Sequence, residues 1–375
     1  MNDLPRHPSS TPTNITEIIY AGGTISAIAT ADGYREGGHV IDLVAELARL
    51  MPDFKDRFNV GHPAVAFTGL SEDIEPKHWL AIEKAVSEAL SRKPQAIIIT
   101  HGTDSMAQTA QFLRGKFLKI LKKSGTKILL TGANDETLHP KTDAWDNLVF
   151  TFESASNDVT PDVYIAFAHR LIRGDKAVKE PYSGRNMAYT SISDPNYKAS
   201  LSRMENHAKW LRNRIIKTFP DVSADTKRVI SYDANFVRDD HRALLEHIET
   251  HPTAAIIFNL YHSGTANAEN PHMSLAKLVR KLRVEKKIVS FAVTENNTPV
   301  DLTRYKSSSQ LRLAGTVPLY DMPRIVAIAK LECLVGAKMP AVQLIQEMLK
   351  PRVDEIDKNL IRSDDIRKLL KLYKG

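Results

Sequence analysis

A doubly wound parallel α/β domain followed by a smaller α/β domain is the fold class that this sequence predicts, and three observations predict it. Short β-branched runs alternate with apolar residues at helical spacing through the amino-terminal half, the pattern of a parallel sheet covered on both faces. Two of the runs end in Gly-Thr turns, Ala21-Gly22-Gly23-Thr24-Ile25 and Thr100-His101-Gly102-Thr103-Asp104-Ser105-Met106. The alternation gives way to a polar, irregular stretch from Asp194 to Arg228 and then resumes, as expected where one domain ends and another begins.

Taken in order, residues 1–14 are polar and Pro-rich, without a signal-peptide core, and read as a disordered lead. Strands follow at Glu17 to Tyr20, Ala64 to Phe67, Ala96 to Thr100, Lys127 to Thr131 and Val163 to Ala168, each short, apolar and bounded by turn residues. Helices between them are expected at Val40 to Leu50, Pro76 to Arg92 and Ser105 to Leu121. The large domain is thus assigned residues 15–205 and the linker 206–227. The smaller domain, 228–375, has expected strands at Val229 to Tyr232, Ala254 to Leu260, Ile288 to Thr294 and Leu313 to Ala314. Its helices are expected at Asp240 to Thr250 and Met273 to Arg283, with a helical tail from Ala341 to Tyr373 packed against them.

Composition narrows the function classes. The 375 residues, 42% hydrophobic and 25% charged, are enough for two packed cores. A net charge of +7 arises from 51 Lys and Arg against 44 Asp and Glu spread along the chain, which reads as a solvated surface. The basic stretches Arg114 to Lys127 and Arg280 to Lys287 lack aromatic interleaving, so no nucleic-acid partner is expected. No apolar segment is long enough to cross a bilayer, and a cytoplasmic location is expected. The single cysteine, Cys333, lies in an apolar helical pattern, reads as a core thiol and excludes an intrachain disulfide. Neither a His cluster with metal-ligand spacing, a Walker turn nor a dinucleotide fingerprint is present, so no cofactor is expected.

The chemistry concentrates in the two Gly-Thr turns. Adjacent parallel strands bring such turns together beyond the carboxyl ends of the sheet, where ligands bind in α/β folds. A neutral threonine hydroxyl attacks an amide poorly, so a nucleophile there needs a nearby base and a group that orients the base. The motifs Gly22-Gly23-Thr24-Ile25 and His101-Gly102-Thr103-Asp104-Ser105-Met106, followed by Thr109-Ala110, resemble the bacterial and archaeal asparaginase and glutaminase family. The likeness continues through Ile74 to Trp79, Leu130 to Ala133, Asp143 to Leu148, Gly264 to Ala268 and Val300-Asp301-Leu302 with Tyr305.

The resemblance implies the two-domain α/β fold reached above and an amidohydrolase in which Thr24 is the nucleophile. It implies that Tyr34, on a loop with Gly33, Gly37 and Gly38 as hinges, assists proton removal, and that Thr103, Asp104 and Lys179 form a second proton-handling group. Lys176 is the rival to Lys179 by a short register shift, and either lysine also reads as a solvated loop charge. Ser71 and Glu72 match a substrate-binding pair, although the family has a neutral neighbour where Glu72 stands. Glu72 therefore either binds a substrate ammonium or caps the helix starting at Pro76. Asn267 matches an asparagine that approaches a neighbouring subunit's site, implying a homodimer or homotetramer, while its own residue type also suits a turn. Further departures are Asn134-Asp135-Glu136 in place of Met-Arg-Pro, and the turn from Thr294 to Pro299, including Thr298.

The resulting expectation is an enzyme that hydrolyses the side-chain amide of L-asparagine to L-aspartate and ammonia through a threonine acyl-enzyme. The alternatives are a same-fold amidase or glutaminase with another substrate, and a non-catalytic amino-acid-binding protein. Ammonia delivery to a transfer-RNA amidotransferase is a further variant, disfavoured by the sequence because its members carry an extra amino-terminal domain for which Met1 to Asn14 is short.

Overall fold

The computed structural model describes residues 13–29, 35–36, 42–179, 189–195, 228–235, 240–268, 270, 272–295, 299–351 and 356–374. It divides into two compact units, one of Met1–Ile28, Gly37–Leu70 and Lys77–Val178, the other of Ala29–Glu36, Ser71–Pro76 and Lys179–Gly375. The expected linker, 206–227, lies outside the described residues.

The first unit is built on a six-stranded sheet. Its strands are β1 (Thr13–Ala21), β2 (Ala64–Phe67), β3 (Pro94–His101), β4 (Lys127–Thr131), β5 (Val163–Phe167) and β6 (Arg170–Arg173). Their order is β2-β1-β3-β4-β5-β6, parallel throughout except for β5 and β6, which run antiparallel. The helices are α1 (Leu43–Leu50), α2 (Pro76–Ser91), α3 (Met106–Ser124) and α4 (Ala144–Ser156).

Because successive strand side chains point to opposite faces, continuous runs such as Ile97-Ile98-Ile99 need cover on both. One parity, with Ile18, Ile98 and Leu129, packs against Leu43 and Leu47 of α1 and Leu148 and Phe152 of α4. The other parity, including Ile97, Ile99, Ile128 and Leu130, is equally buried. Helix α3, which buries Leu113, Phe117 and Leu121, lies against β4 and β5.

The second unit holds a four-stranded parallel sheet, β7 (Val229–Asp233), β8 (Ala255–Leu260), β9 (Val289–Thr294) and β10 (Val317–Pro318), in that order. Helices α5 (Arg242–Thr250), α6 (Leu275–Glu285) and α7 (Lys306–Ala314) cover the face bearing Ile256, Phe258 and Ala292. Helices α8 (Arg324–Gly336), α9 (Ala341–Leu349) and α10 (Ser363–Leu372) cover the face bearing Ile257, Phe291 and Val293. Cys333 is buried in that second layer. Among the described residues no helix is long and apolar enough to cross a membrane.

Three elements, α7, β6 and α4, differ from the sequence expectation. Leu313 and Ala314 form the last turn of α7 and not a strand; Ala314 is buried, Leu313 is 64% exposed, and Gly315, at φ 110°, stops the helix before β10 begins at Val317. The antiparallel strand β6 and helix α4 were not expected. The turn into β6 runs through Ala168 and His169, both in the left-handed region, with no glycine to announce it.

Candidate active site

In the first unit the paired strands β1 and β3 end level with one another, with Tyr20 beside Thr100 and Ala21 beside His101. Both strands leave the sheet at its carboxyl edge, so their Gly-Thr turns emerge side by side. Gly23 sits at φ 85°, and its Cα lies so close to Gly102 that a Cβ would collide with the Gly102 backbone. Its amide donates to the Gly69 carbonyl at 2.9 Å. Residues Thr24–Ser26 then form one tight helical turn, closed by Ser26 N on Gly23 O at 3.0 Å and Ala27 N on Thr24 O at 3.1 Å. The Thr137 hydroxyl, donating to the Ile25 carbonyl, ties this turn to the loop after β4.

Thr24, Thr103 and Asp104 keep 8%, 8% and 9% of their surface, so all three are buried polar residues and not part of an open loop. Behind them His101 is wholly buried. Its Nδ1 lies 2.8 Å from the Gly102 carbonyl, which can only accept, so Nδ1 carries the proton and Nε2 accepts from Thr109 Oγ1 at 3.0 Å. Trp79 Nε1 donates in turn to Thr109 Oγ1 at 2.9 Å. Burial lowers the imidazole pKa to about 4, only partly opposed by the Gly102 bond, so the ring is neutral at pH 7 and fixed in one tautomer. His101 thereby holds the Gly102 carbonyl in place and is uncharged beside the Thr103 turn.

The loop after β4 is anchored by Asp143. Its carboxylate accepts from the Asn134 amide at 2.8 Å, the Asp135 amide at 3.2 Å and Asn134 Nδ2 at 3.0 Å. Burial raises its pKa, and the amides of Asp135 and Asn134 oppose the rise. Asn147 bridges the Gly132 carbonyl at 3.0 Å and the Ala168 amide at 2.9 Å. The departure at Asn134 thus has a structural account: its side chain completes the Asp143 cradle.

Ser71, Glu72, Lys179 and Asn267 belong to the second unit. Ser71–Asp73 is a buried single turn in which Glu72 Oε1 accepts from Ser307 Oγ at 3.0 Å and Asp73 Oδ1 from the Ala268 amide at 2.7 Å. The Asp73 bond places the Ser71 turn beside the 264–268 loop. In that loop the Asn267 carbonyl accepts from Leu275 N at 3.1 Å, and Asn267 Oδ1 from Asn270 N at 3.4 Å. Asn267 is 7% exposed, and its Nδ2 is buried without a hydrogen-bond partner. Its carboxamide oxygen therefore serves the turn, as an asparagine there can, while the amide nitrogen does not. Lys179, 7% exposed, ends the short strand Ala177–Lys179, whereas Lys176 is half-buried in the preceding turn.

Tyr34, its neighbour Gly33, the Gly37-Gly38 pair and Thr298 lie outside the described residues. Sequence reasoning missed Thr137, Asp73, Ser307 and the Trp79-Thr109-His101 chain. Burial of a short polar residue next to a motif would have flagged Asp73; Thr137 and Ser307 carry no local signal. Among the described residues no group of three or more His, Cys, Asp or Glu could hold a metal ion.

The family model for asparaginase, N-terminal, matches residues 16–215. A glutamyl-tRNA(Gln) amidotransferase subunit from Pyrococcus abyssi is 34% identical over 370 residues, covering 90% of this chain and 76% of that protein. The Pyrococcus horikoshii protein of the same name is 26% identical over the same shares. The thermostable L-asparaginase from Thermococcus kodakarensis aligns over 92% of this chain and 99% of its own, with a TM-score of 0.41 and 20% identity. L-asparaginase I from Vibrio cholerae aligns over the same shares, with a TM-score of 0.39 and 19% identity.

Proposed function

The chain belongs to the asparaginase family, and from that premise we propose that it is an amidohydrolase that cleaves the side-chain amide of L-asparagine through Thr24. The observation that carries the reading is the register of β1 and β3, which sets the Thr24 and Thr103 turns against each other at the carboxyl edge of the sheet. In the proposed reaction Thr24 Oγ adds to the amide carbonyl as its proton passes to a base. Collapse of the tetrahedral intermediate expels the protonated amine as ammonia and leaves an ester on Thr24, which water then hydrolyses to the carboxylate. Tyr34 and the Thr103-Lys179 pair are assigned the proton transfers. Asp104, Ser71 and Glu72 are assigned to hold the substrate, with Asn267 completing the site in a homodimer or homotetramer. Backbone N-H groups of the Thr103 turn are assigned to the oxyanion, where one donor lowers the barrier by roughly 3 kcal/mol.

A second reading is favoured by the likeness to the Pyrococcus amidotransferase subunits: the ammonia is passed to an amidation reaction on a glutamyl-tRNA. The two share Thr24 and differ in what triggers turnover. Ammonia release from L-asparagine and L-glutamine by the purified chain, beside Thr24→Ala, tests both. Thr24-dependent release from the free amino acid supports the first reading. Release that requires a charged transfer RNA supports the second, and binding without any turnover supports a non-catalytic amino-acid-binding protein.

A further inference from the structure

The second unit holds a cavity of about 420 Å³ at the amino edge of its parallel sheet, and none of the residues assigned to amide hydrolysis lines it. Arg228 and Ala254 stand just before β7 and β8, and their carbonyls receive the Ala254 amide at 2.9 Å and the Val289 amide at 3.3 Å, so backbone hydrogen bonds fix this edge. The apolar part of the lining includes Val289, Val335 and Leu344, all buried. The volume lies within the range, from roughly 300 Å³ upward, of pockets that hold small ligands.

The charged lining has one sign. Arg228, Lys286, Lys287 and Lys338 come to the cavity from three separate segments, ahead of β7, between α6 and β9, and between α8 and α9. No Asp or Glu is found among the described residues that line it. Over the whole chain 44 Asp and Glu stand against 51 Lys and Arg, so four cations around one cavity without an acid are a local departure. Like charges gathered in this way repel one another, and a bound anion offsets that repulsion. Helix α9 begins at the cavity with Ala341; Pro340, its N-cap, offers no side-chain acceptor and its first turn has no acid, so the positive end of the helix dipole adds to the cationic lining. A lysine after a helix also complements that helix's carboxyl end, as Lys287 does for α6 and Lys338 for α8, but Arg228 follows no helix. Lys287 and Lys338 hold φ at 57° and 53°, a left-handed conformation in which glycine is the unstrained residue. Lys93, after α2, has the same conformation, so it is the convergence of four cations on one cavity that marks this place.

We propose that this cavity binds a small phosphorylated anion with two or more negative charges, its oxygens accepting from Lys286, Lys287 and Lys338 beside Arg228. The inference is independent of the amidohydrolase reading, because it shares no residue with it. Isothermal titration of the full chain at low salt with inorganic pyrophosphate and with ADP tests it. Binding at millimolar concentration or below is expected, weakening as salt is raised. A preference for ADP assigns the site to an organic phosphate that also uses the apolar lining, and a preference for pyrophosphate assigns it to the inorganic ion. Lys287→Gly with Lys338→Gly removes two cations where glycine suits the backbone, so affinity is expected to fall at least about fivefold while the melting temperature holds or rises. Lys122→Gln with Lys123→Gln, in the last turn of α3, removes the same charge outside the cavity lining and is expected to bind as the unsubstituted chain does. No binding of either anion, an equal loss in both double variants, or unchanged binding by the glycine variant each overturns the proposal. Should the glycine variant fail to fold, Lys287→Asn with Lys338→Asn takes its place with the same outcomes, since asparagine also tolerates that conformation.

Discussion

Two residues, Gly23 and His101, bear the geometry on which the chemistry at Thr24 depends. Gly23 has φ 85° and no room for a Cβ against Gly102, so Gly23→Ala is expected to cost at least about 2 kcal/mol and to abolish ammonia release. Urea unfolding and the ammonia assay check the two halves of that statement. His101 has a folded pKa of about 4 against an ordinary 6.5, so between these values the unfolded chain binds a proton that the folded chain does not. Stability therefore falls as pH drops from about 6.5 toward about 4, by up to about 3 kcal/mol from this group. In His101→Gln that component of the slope should vanish in urea titrations across the window. Both glycine turns and both threonines were legible in the sequence, because a Gly-Thr turn after a strand is a local signal. The neutral, tautomer-fixed state of His101 was not, since it depends on complete burial, on the Gly102 carbonyl at Nδ1 and on Thr109 of another element at Nε2.

At the scale of elements, the parallel strands declared themselves as short β-branched runs, and the structure extends several of them by a residue or more. What escaped were elements defined by partners: β6 exists because it pairs antiparallel with β5, and α7 runs to Ala314 because Gly315 stops it there. Element joints also rest on ion pairs that hydropathy patterns do not show. Glu17 of β1 is 3% exposed and receives Arg92 Nε at 2.6 Å and Nη2 at 3.0 Å from the end of α2. Arg92 is half exposed, so the pair itself contributes modestly, but its removal leaves a buried carboxylate. Arg92→Leu is expected to lower stability by about 1–3 kcal/mol at pH 7 in denaturant unfolding, and Glu17→Gln with Arg92→Leu to recover part of it.

For the whole molecule, the expected two α/β domains are present as two compact units, but the division does not follow a single cut in the chain. The segment Ser71–Pro76 belongs with the second unit, an exchange that no composition shift marks. Of the residues singled out in the sequence, Thr24, Thr103 and Asp104 fall in the first unit and Ser71, Glu72, Lys179 and Asn267 in the second. Light scattering on the purified chain is expected to give a dimer or larger; a fully active monomer would remove Asn267 from the proposed site. The most direct measurement is intact and peptide-level mass spectrometry of enzyme quenched during turnover of L-asparagine. A β-aspartyl ester is expected on the peptide carrying Thr24, and none in Thr24→Ala. An adduct on any other residue, or Thr24→Ala turning over at the unsubstituted rate, would contradict a threonine acyl-enzyme at Thr24.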